Sequence, residues 1–333
     1  MSGRLPYGIL LLGLGGLAGL LFLASLLVGV ASVPWRISVE ALFASDTSPM
    51  SILMQEIRLP RALLGLLVGG ILALSGAVLQ GLLRNPLAEP GVIGVSASAS
   101  LGAVIAFYTG LSALLPYALP AMAIGGALLA VLLMLALAGR AGDVLTLILA
   151  GVAISTLAGA LTSLVLNLSP NPFGAIEIVF WMMGSLTDRS MAHLWLAAPF
   201  ILAGAALLFL TGRALDALTL GEDVAASVGV DLSRTRILAA LGTALGVGAA
   251  TAVTGAIGFV GLVVPHLLRP LVGSAPSRLL PASALGGAAL LTAADLMVRL
   301  VLPGKDLKLG VVTALVGVPF FLWLLVKVRR SIA

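Results

Sequence analysis

Long apolar runs separated by short polar breaks dominate the chain, and run length carries the pattern more than any alternation of side chains. The run from Ala62 to Leu83 sets the scale, at about the ~20 residues that a helix needs to cross a ~30 Å hydrocarbon core. Arg58 and Arg61 flank Pro60 ahead of it, which predicts one membrane surface there, and Arg84 and Asn85 close it at the other surface. Pro86 and Pro90 forbid a simple continuation of the helix, because proline lacks a donor and clashes with the preceding turn, so a short loop is expected to re-enter the membrane at Gly91. Within the run, Gly65, Gly69, Ala73 and Ala77 recur every fourth residue, a strip that lets a neighbouring helix pack closely in lipid. Gln80 is the one amide on this helix.

The other runs follow the same rule. Ile9 to Val33 is too long for a signal-peptide core and is expected to remain as an anchor. Pro34 to Ile57 is mixed and predicts a short surface helix, with Trp35 at the interface and Glu40, Asp46 and Glu56 in water. Third and fourth spans are expected over Val92–Thr109 and Leu114–Ala138. The fifth, Leu145–Leu168, puts Gly151, Ser155, Gly159 and Ser163 on one face, either as a helix-packing strip or as the smooth wall of a pathway; beside a dimer axis the two are compatible. Pro170, Pro172 and Gly174 break that helix, and Ala175–Met183 reads as a short amphipathic piece with Trp181 as an interface anchor. Glu177, Asp188, Arg189 and His193 cluster in this loop, where a surface role for His193 outweighs metal ligation because no second ligand stands at a recognisable spacing.

After a sixth span, Leu194–Leu210, hydrophobicity stops. Residues 212–236 are polar, with Glu222 and Asp223 in the first turn of a short helix that ends at Gly229, and Asp231 placed to cap a second. Two compact capped helices on one membrane face suit a docking surface better than a plain connector. A glycine-rich seventh span, Ile237–Val253, leads into an eighth, Thr254–Arg269, where His266 is expected to be structural rather than a haem ligand. The ninth, Leu280–Val301, carries Asp295 and Arg299 one turn apart, readable as an i,i+4 ion pair or as a functional intramembrane charge. The tenth, Val311–Val326, ends at Lys327, Arg329 and Arg330.

Composition narrows the class. With 60% hydrophobic and 9% charged residues over 333, the chain departs far from the ~25% charge of soluble domains, and 40 glycines with 5% aromatics suit packed helices over a barrel. The fold class is therefore an all-α polytopic membrane protein of about ten spans, read as a single domain over 1–333. A net charge of +5 reflects basic loops and does not argue for nucleic acid; the absence of cysteine excludes disulfides and thiolate metal sites. No Walker A run occurs, since Gly304-Lys305 is followed by Asp306 and lacks the earlier glycine, and Leu74-Ser-Gly76 only echoes an ABC signature inside an apolar span. No paired carboxylates or nucleophile with a base support an enzyme, and no resident cofactor or metal is implied.

Arg58-Leu-Pro-Arg61, Gly76-Ala-Val-Leu-Gln80-Gly81, Asn85-Pro-Leu-Ala-Glu-Pro90-Gly91 and Gly94-Val-Ser96 closely resemble the FecCD-type permeases, the membrane subunits of ABC importers for haem, siderophores and cobalamin. The glycine-rich run from Thr254 into Pro265-His266 and Arg269, and Gly317-Val-Pro319 onward to Trp323, extend the resemblance over nearly the whole chain. At Lys308 the chain departs from the family, which usually has proline there.

The resemblance implies a type II importer fold and a homodimer with a central path between the two copies. It further implies two ABC ATPase subunits that bring ATP and magnesium, a periplasmic substrate-binding protein, and a bacterial inner membrane. Arg58, Arg61 and Arg299 match positions that meet acids of the binding protein, a complementarity that orients a soluble partner. Asn85 and Leu87 match a cytoplasmic gate, and Val144 and Leu145 stand where the cobalamin-type pattern has small hydroxyl residues, which tilts the cargo toward haem or another iron chelate over cobalamin. Leu220, Gly221, Glu222, Asp223, Ala226 and Gly229 fall in the loop that inserts a coupling helix into the ATPase, and the short helix within 169–192 has a gating role. With both termini cytoplasmic, eleven basic residues fall inside and Arg36, Arg58, Arg61, Arg189, Arg299, Lys305 and Lys308 outside, a bias that supports this orientation. An ion-coupled secondary transporter would need mid-membrane carboxylates and a channel a polar ring; the acids here lie at span ends or in loops, and nothing marks such a ring.

Overall fold

The computed structural model describes residues 6–29, 33–91, 93–115, 117–138, 144–301 and 307–332, which form helices and turns; no strand occurs among them. Helix α1 (Tyr7–Leu27) is apolar all round and turns most of its surface outward, as a lipid-facing helix does. Surface helix α2 (Trp35–Phe43) leaves Trp35 and Glu40 exposed. Helix α3 (Pro49–Ile52) starts where the Ser48 hydroxyl accepts from the Ser51 N–H.

The next step differs from the expected break. Residues Leu53–Arg58 form a π-helical turn that runs straight into α4 (Leu59–Leu82), so the helix passes through Pro60 instead of beginning beyond Arg61. The wider turn removes the conflict between the proline ring and the carbonyl four residues earlier; the Leu59 N–H bonds to Met54 instead.

The remaining elements are α5 (Val95–Tyr108), α6 (Leu111–Leu114), α7 (Ala118–Ala138), α8 (Val144–Asn167), α9 (Pro172–Met182), α10 (Met191–Phe209), α11 (Gly212–Leu218), α12 (Glu222–Ser227), α13 (Leu232–Thr254), α14 (Val260–Leu268), α15 (Pro276–Val301) and α16 (Leu309–Ile332). Seven stretches, those of α1, α4, α7, α8, α10, α13 and α15, are long and apolar enough to cross a membrane. The shorter apolar helices α5, α9 and α16 add to these, in keeping with the expected number of about ten.

Helix α4 is the hub, packed by α15, α14, α10 and α13. The strip of small residues explains why: at Gly69 and Gly287, and at Gly76 and Gly261, a Cβ would run into the opposite backbone, so only glycine permits the approach. Where lipid is as apolar as the side chains, this close backbone contact is what favours association.

Two boundaries depart from the sequence pattern. The eighth span is only half helical, because Gly255 (φ 73°) and Phe259 (φ 67°) take left-handed conformations and α14 starts at Val260. Gly255 is tied to its conformation, since a Cβ there would collide with the Trp181 carbonyl. Helix α13 in turn begins at Leu232, because the Asp231 carboxylate accepts from the Arg234 N–H at 2.9 Å; the expected second short helix is the first turn of the seventh span.

Candidate functional site

Helices α8, α9 and α16 build an open face. A cavity of about 650 Å³ is lined by Ser96, Ser100, Gly159, Ser163 and Val179, and another of about 570 Å³ by Gly310, Val311, Leu315 and Pro319. Met182, Met183 and Ala256 line both, so the end of α9 stands as a ridge between two troughs. The ridge is anchored by glycines: the Gly310 N–H donates to the Gly184 carbonyl at 3.2 Å, the Ser185 N–H to Thr254 at 2.7 Å, and Gly310 has no room for a Cβ beside the Met183 carbonyl. Of the four residues predicted on one face of α8, Gly159 and Ser163 line the first trough. Gly151 is buried with its carbonyl against the turn at Gly94, which Ile154 also packs on, and the Ser155 hydroxyl donates to the Gly91 carbonyl at 3.0 Å. The face is thus a packing strip at one end and an open wall at the other.

The turn after α4 is tightly specified. Asn85 accepts the Leu87 N–H on its side-chain oxygen at 2.9 Å, and its own N–H donates to the Gln80 carbonyl at 3.2 Å. Gln80 bridges onward, donating to Gly261 at 3.1 Å and accepting from Arg269 at 2.8 Å. Glu89 accepts the Phe259 N–H at 3.2 Å, and the Phe259 ring occupies the space left by Gly317. Leu145 is exposed in the first turn of α8, and Leu147 beyond it shares a small apolar niche with Leu82, Leu83 and Ile93; the side chain of Val144 lies outside the described residues. The two predicted gate segments therefore lie at the same end of the bundle.

At that end α11 packs on α15 and α4, and α12 follows it. Gly221 (φ 108°) and Gly229 (φ 86°) bracket α12, whose first turn carries Glu222 and Asp223. Ala225 packs inward, while Leu220, Val224 and Val228 are exposed, together with Ala226. Glu222 reaches Arg236 at 3.2 Å, and Asp216 accepts the Ser277 N–H at 2.8 Å, which fastens the unit to α13 and α15. An apolar outer face on a polar loop is an unfinished interface.

At the opposite end Asp295 holds two of the three predicted docking arginines, Arg61 and Arg299, and the third, Arg58, joins Arg299 at the end of α1. Arg61 forks onto it with contacts of 2.7 and 3.1 Å, and Arg299 pairs with it from one turn along α15. Arg299 also donates to Ser25 and Val28, and Arg58 to the carbonyls of Leu26 and Leu27 at 3.0 and 3.1 Å, capping the end of α1. Arg58 and Arg299 are buried; Arg61 keeps 16% of its side chain exposed.

This architecture has close counterparts. The model of the FecCD transport family matches residues 17–327. The chain belongs to the FecCD transport family. Among its relatives, the vitamin B12 import system permease protein BtuC of Vibrio cholerae is 44% identical over 87% of each chain. The hemin transport system permease protein HmuU of Yersinia pestis is 36% identical over 99% of each. A solved structure, of a putative metal-chelate type ABC transporter in an inward-facing conformation, superposes with a TM-score of 0.85 at 32% identity, covering 96% of this chain and 99% of the other. The protein is a transport permease subunit of the ABC type, built of membrane-spanning helices.

Sequence reasoning missed several members of these sites. Val224 and Val228 escaped notice because an apolar residue inside a short polar helix looks like its inward face. Arg61 and Asp295 were each singled out, but they lie on different helices far apart in sequence, and their pairing with one another went unforeseen. Met182 and Met183 close an unremarkable apolar stretch; their place between two troughs is a tertiary fact.

Proposed function

We propose that this permease is the membrane subunit of a type II ABC importer that moves a large iron chelate, haem or a ferric siderophore, from periplasm to cytoplasm. Two copies face each other across the troughs beside Met182 and Met183, and two ATPase subunits seat α12. The observation that carries the reading is the exposed apolar face of Leu220, Val224 and Val228, held on a rigid capped unit in a family of ABC permeases. ATP binding and hydrolysis in the partners would move α11 and α12, and the tie from Asp216 to α15 offers a direct route into the bundle. Asn85, Leu87, Val144 and Leu145 close the path on the cytoplasmic side, and α9 closes it outside. Residues 212–236 serve as the coupling loop and 169–192 as the outer gate, in a bacterial inner membrane.

A periplasmic binding protein delivers the cargo at the end where Arg58, Arg61 and Arg299 gather. Arg61, whose guanidinium is the most exposed of the three, makes first contact, and the other two hold α1 and α15 in place beneath it.

Val144 and Leu145 support an iron chelate, since the cobalamin-type pattern has small hydroxyl residues there. The 44% identity to a vitamin B12 permease supports cobalamin as the second reading. Proteoliposomes holding the permease with its ATPase and binding protein decide between them: ATP-dependent, saturable uptake of haem or a ferric siderophore is expected. Uptake of cobalamin alone would select the second reading, and uptake driven by an ion gradient without ATP would sink both.

A further inference from the structure

Helices α7 and α10 both pack along α13 but scarcely touch each other. At the Arg189 end the gap between them opens into a cavity of about 1180 Å³. Ala252 and Val253 of α13 form its floor, with Leu119 and Pro120 of α7 on one side and Leu196 of α10 on the other. Tyr117 and Trp195 stand exposed at its rim, as aromatic side chains do at a membrane–water boundary.

The polar end of the cavity carries the residues that the sequence clustered around the α9–α10 loop. Glu177, Asp188, Arg189 and His193 all line it, yet none of the ion pairs among the described residues involves them. The Arg189 Nε is buried with no hydrogen-bond partner, and burial pushes its guanidinium pKa down while Asp188 pulls it up. On His193 the Nδ1 accepts the Ser190 N–H at 3.2 Å, which leaves the ring proton of the neutral form on Nε2 as a donor. Among the described residues no group of three His, Asp or Glu is placed to hold a metal. Lys308 also lines the cavity, with its ammonium 5.8 Å from the centre of the Phe180 ring. Groups of both signs therefore share the cavity, and Glu177, Asp188 and Arg189 form no ion pair with one another there, an arrangement that a ligand bearing both signs satisfies better than a simple anion or cation.

We propose that this cavity binds a zwitterionic phospholipid of the ethanolamine class, from the leaflet that the orientation proposed above makes the outer one. Its phosphate meets Arg189 and the His193 Nε2–H, its ammonium donates to Glu177 and Asp188, and one acyl chain lies between α7 and α10. A choline headgroup cannot donate to the two carboxylates, and a glycerol headgroup offers them no positive charge. Trp181 of α9 lines this cavity, edge-to-face on Phe107 at 5.6 Å, while the adjoining Met182 and Met183 line the troughs on the other side. The lipid thus sits behind the segment whose front faces the open wall.

Native mass spectrometry of the detergent-purified permease–ATPase complex tests this without any transport step, so it does not depend on the cargo. The complex is offered equal amounts of phosphatidylethanolamine, phosphatidylglycerol and phosphatidylcholine with identical chains. Retention of the ethanolamine lipid by about tenfold over the other two is expected, and Arg189→Gln and Glu177→Gln each abolish that preference. Glu177 is exposed on α9, so its variant folds even if the Arg189 variant does not. Free phosphoethanolamine and inorganic phosphate at millimolar concentration leave the bound lipid in place. Equal retention of the three lipids, a glycerol-lipid preference, displacement by phosphate alone, or an unchanged preference in Glu177→Gln would each overturn the proposal.

Discussion

Asp295 and Glu222 are both carboxylates held by arginine, at opposite ends of the molecule, and they differ in nearly everything that decides what an ion pair is worth. Asp295 is 2% exposed and takes Arg61 and Arg299 together, while Arg58 and Arg299 also cap the end of α1. Glu222 keeps 38% of its side chain in solvent and holds one partner, Arg236, at 3.2 Å. The buried cluster is a junction that fixes three helices at the end assigned to the binding protein; the exposed pair only steadies a short helix whose apolar side awaits another protein. Charge is structural where it is buried, and at the other end the open hydrophobic face carries the candidate function.

Removing Asp295 should have the largest effect. Asp295→Ala leaves the buried Arg299 and the partly buried Arg61 without their shared acid, a loss of about 3–5 kcal/mol, which should appear as a collapse of monodisperse permease in size exclusion and a much lower melting temperature. A melting curve like the wild type's would show that the carbonyl caps alone sustain the arginines, and the contrast between the ends would disappear.

Next in size is the face of α12. Val224→Asp and Val228→Asp place charges where an apolar interface would close, so co-purification with the ATPase should fall at least about tenfold while the melting temperature of the isolated permease stays unchanged. Retained assembly would move the interface off this helix. Glu222→Gln should do far less, roughly 0–1 kcal/mol, and leave assembly intact. If Glu222→Gln abolished assembly and the valine variants did not, coupling would be electrostatic and not apolar.

Much of this organisation is legible in the sequence. The four-residue rhythm Gly65, Gly69, Ala73, Ala77 marked a close helix contact, and Gly69 does lie against Gly287. Gly229 and Asp231 marked ends of helices because their signals are local: a left-handed glycine and a capping carboxylate. What stayed hidden is non-local. Nothing near Pro60 announces a π turn, and nothing in the apolar run from Thr254 foretells that Gly255 and Phe259 will take left-handed conformations, because neighbours from α9 and from the turn after α4 impose them. Likewise Asp295 beside Arg299 reads as a local i,i+4 pair, and the fork from Arg61 appears only once α4 and α15 lie together.

The smallest effect belongs to Asp46, which separates charge from burial at the end where Asp295 sits buried. Its carboxylate accepts from the Ser51 hydroxyl and from the Ser48 N–H at 3.4 Å, contacts that hold its pKa below the usual aspartate value, yet the side chain is exposed. A carboxylate lowered in the folded state contributes stability that is fully present above its unfolded pKa and is lost as pH falls through the lower folded value. The melting temperature of wild type minus that of Asp46→Asn should therefore be small and positive near neutral pH and shrink below about pH 4. Asp295→Ala, by contrast, should remain deeply destabilised across the neutral range. A difference for Asp46 as large as that for Asp295 would mean that exposed hydroxyl contacts at the start of α3 matter as much as a buried cluster, and that burial is not what separates the two carboxylates.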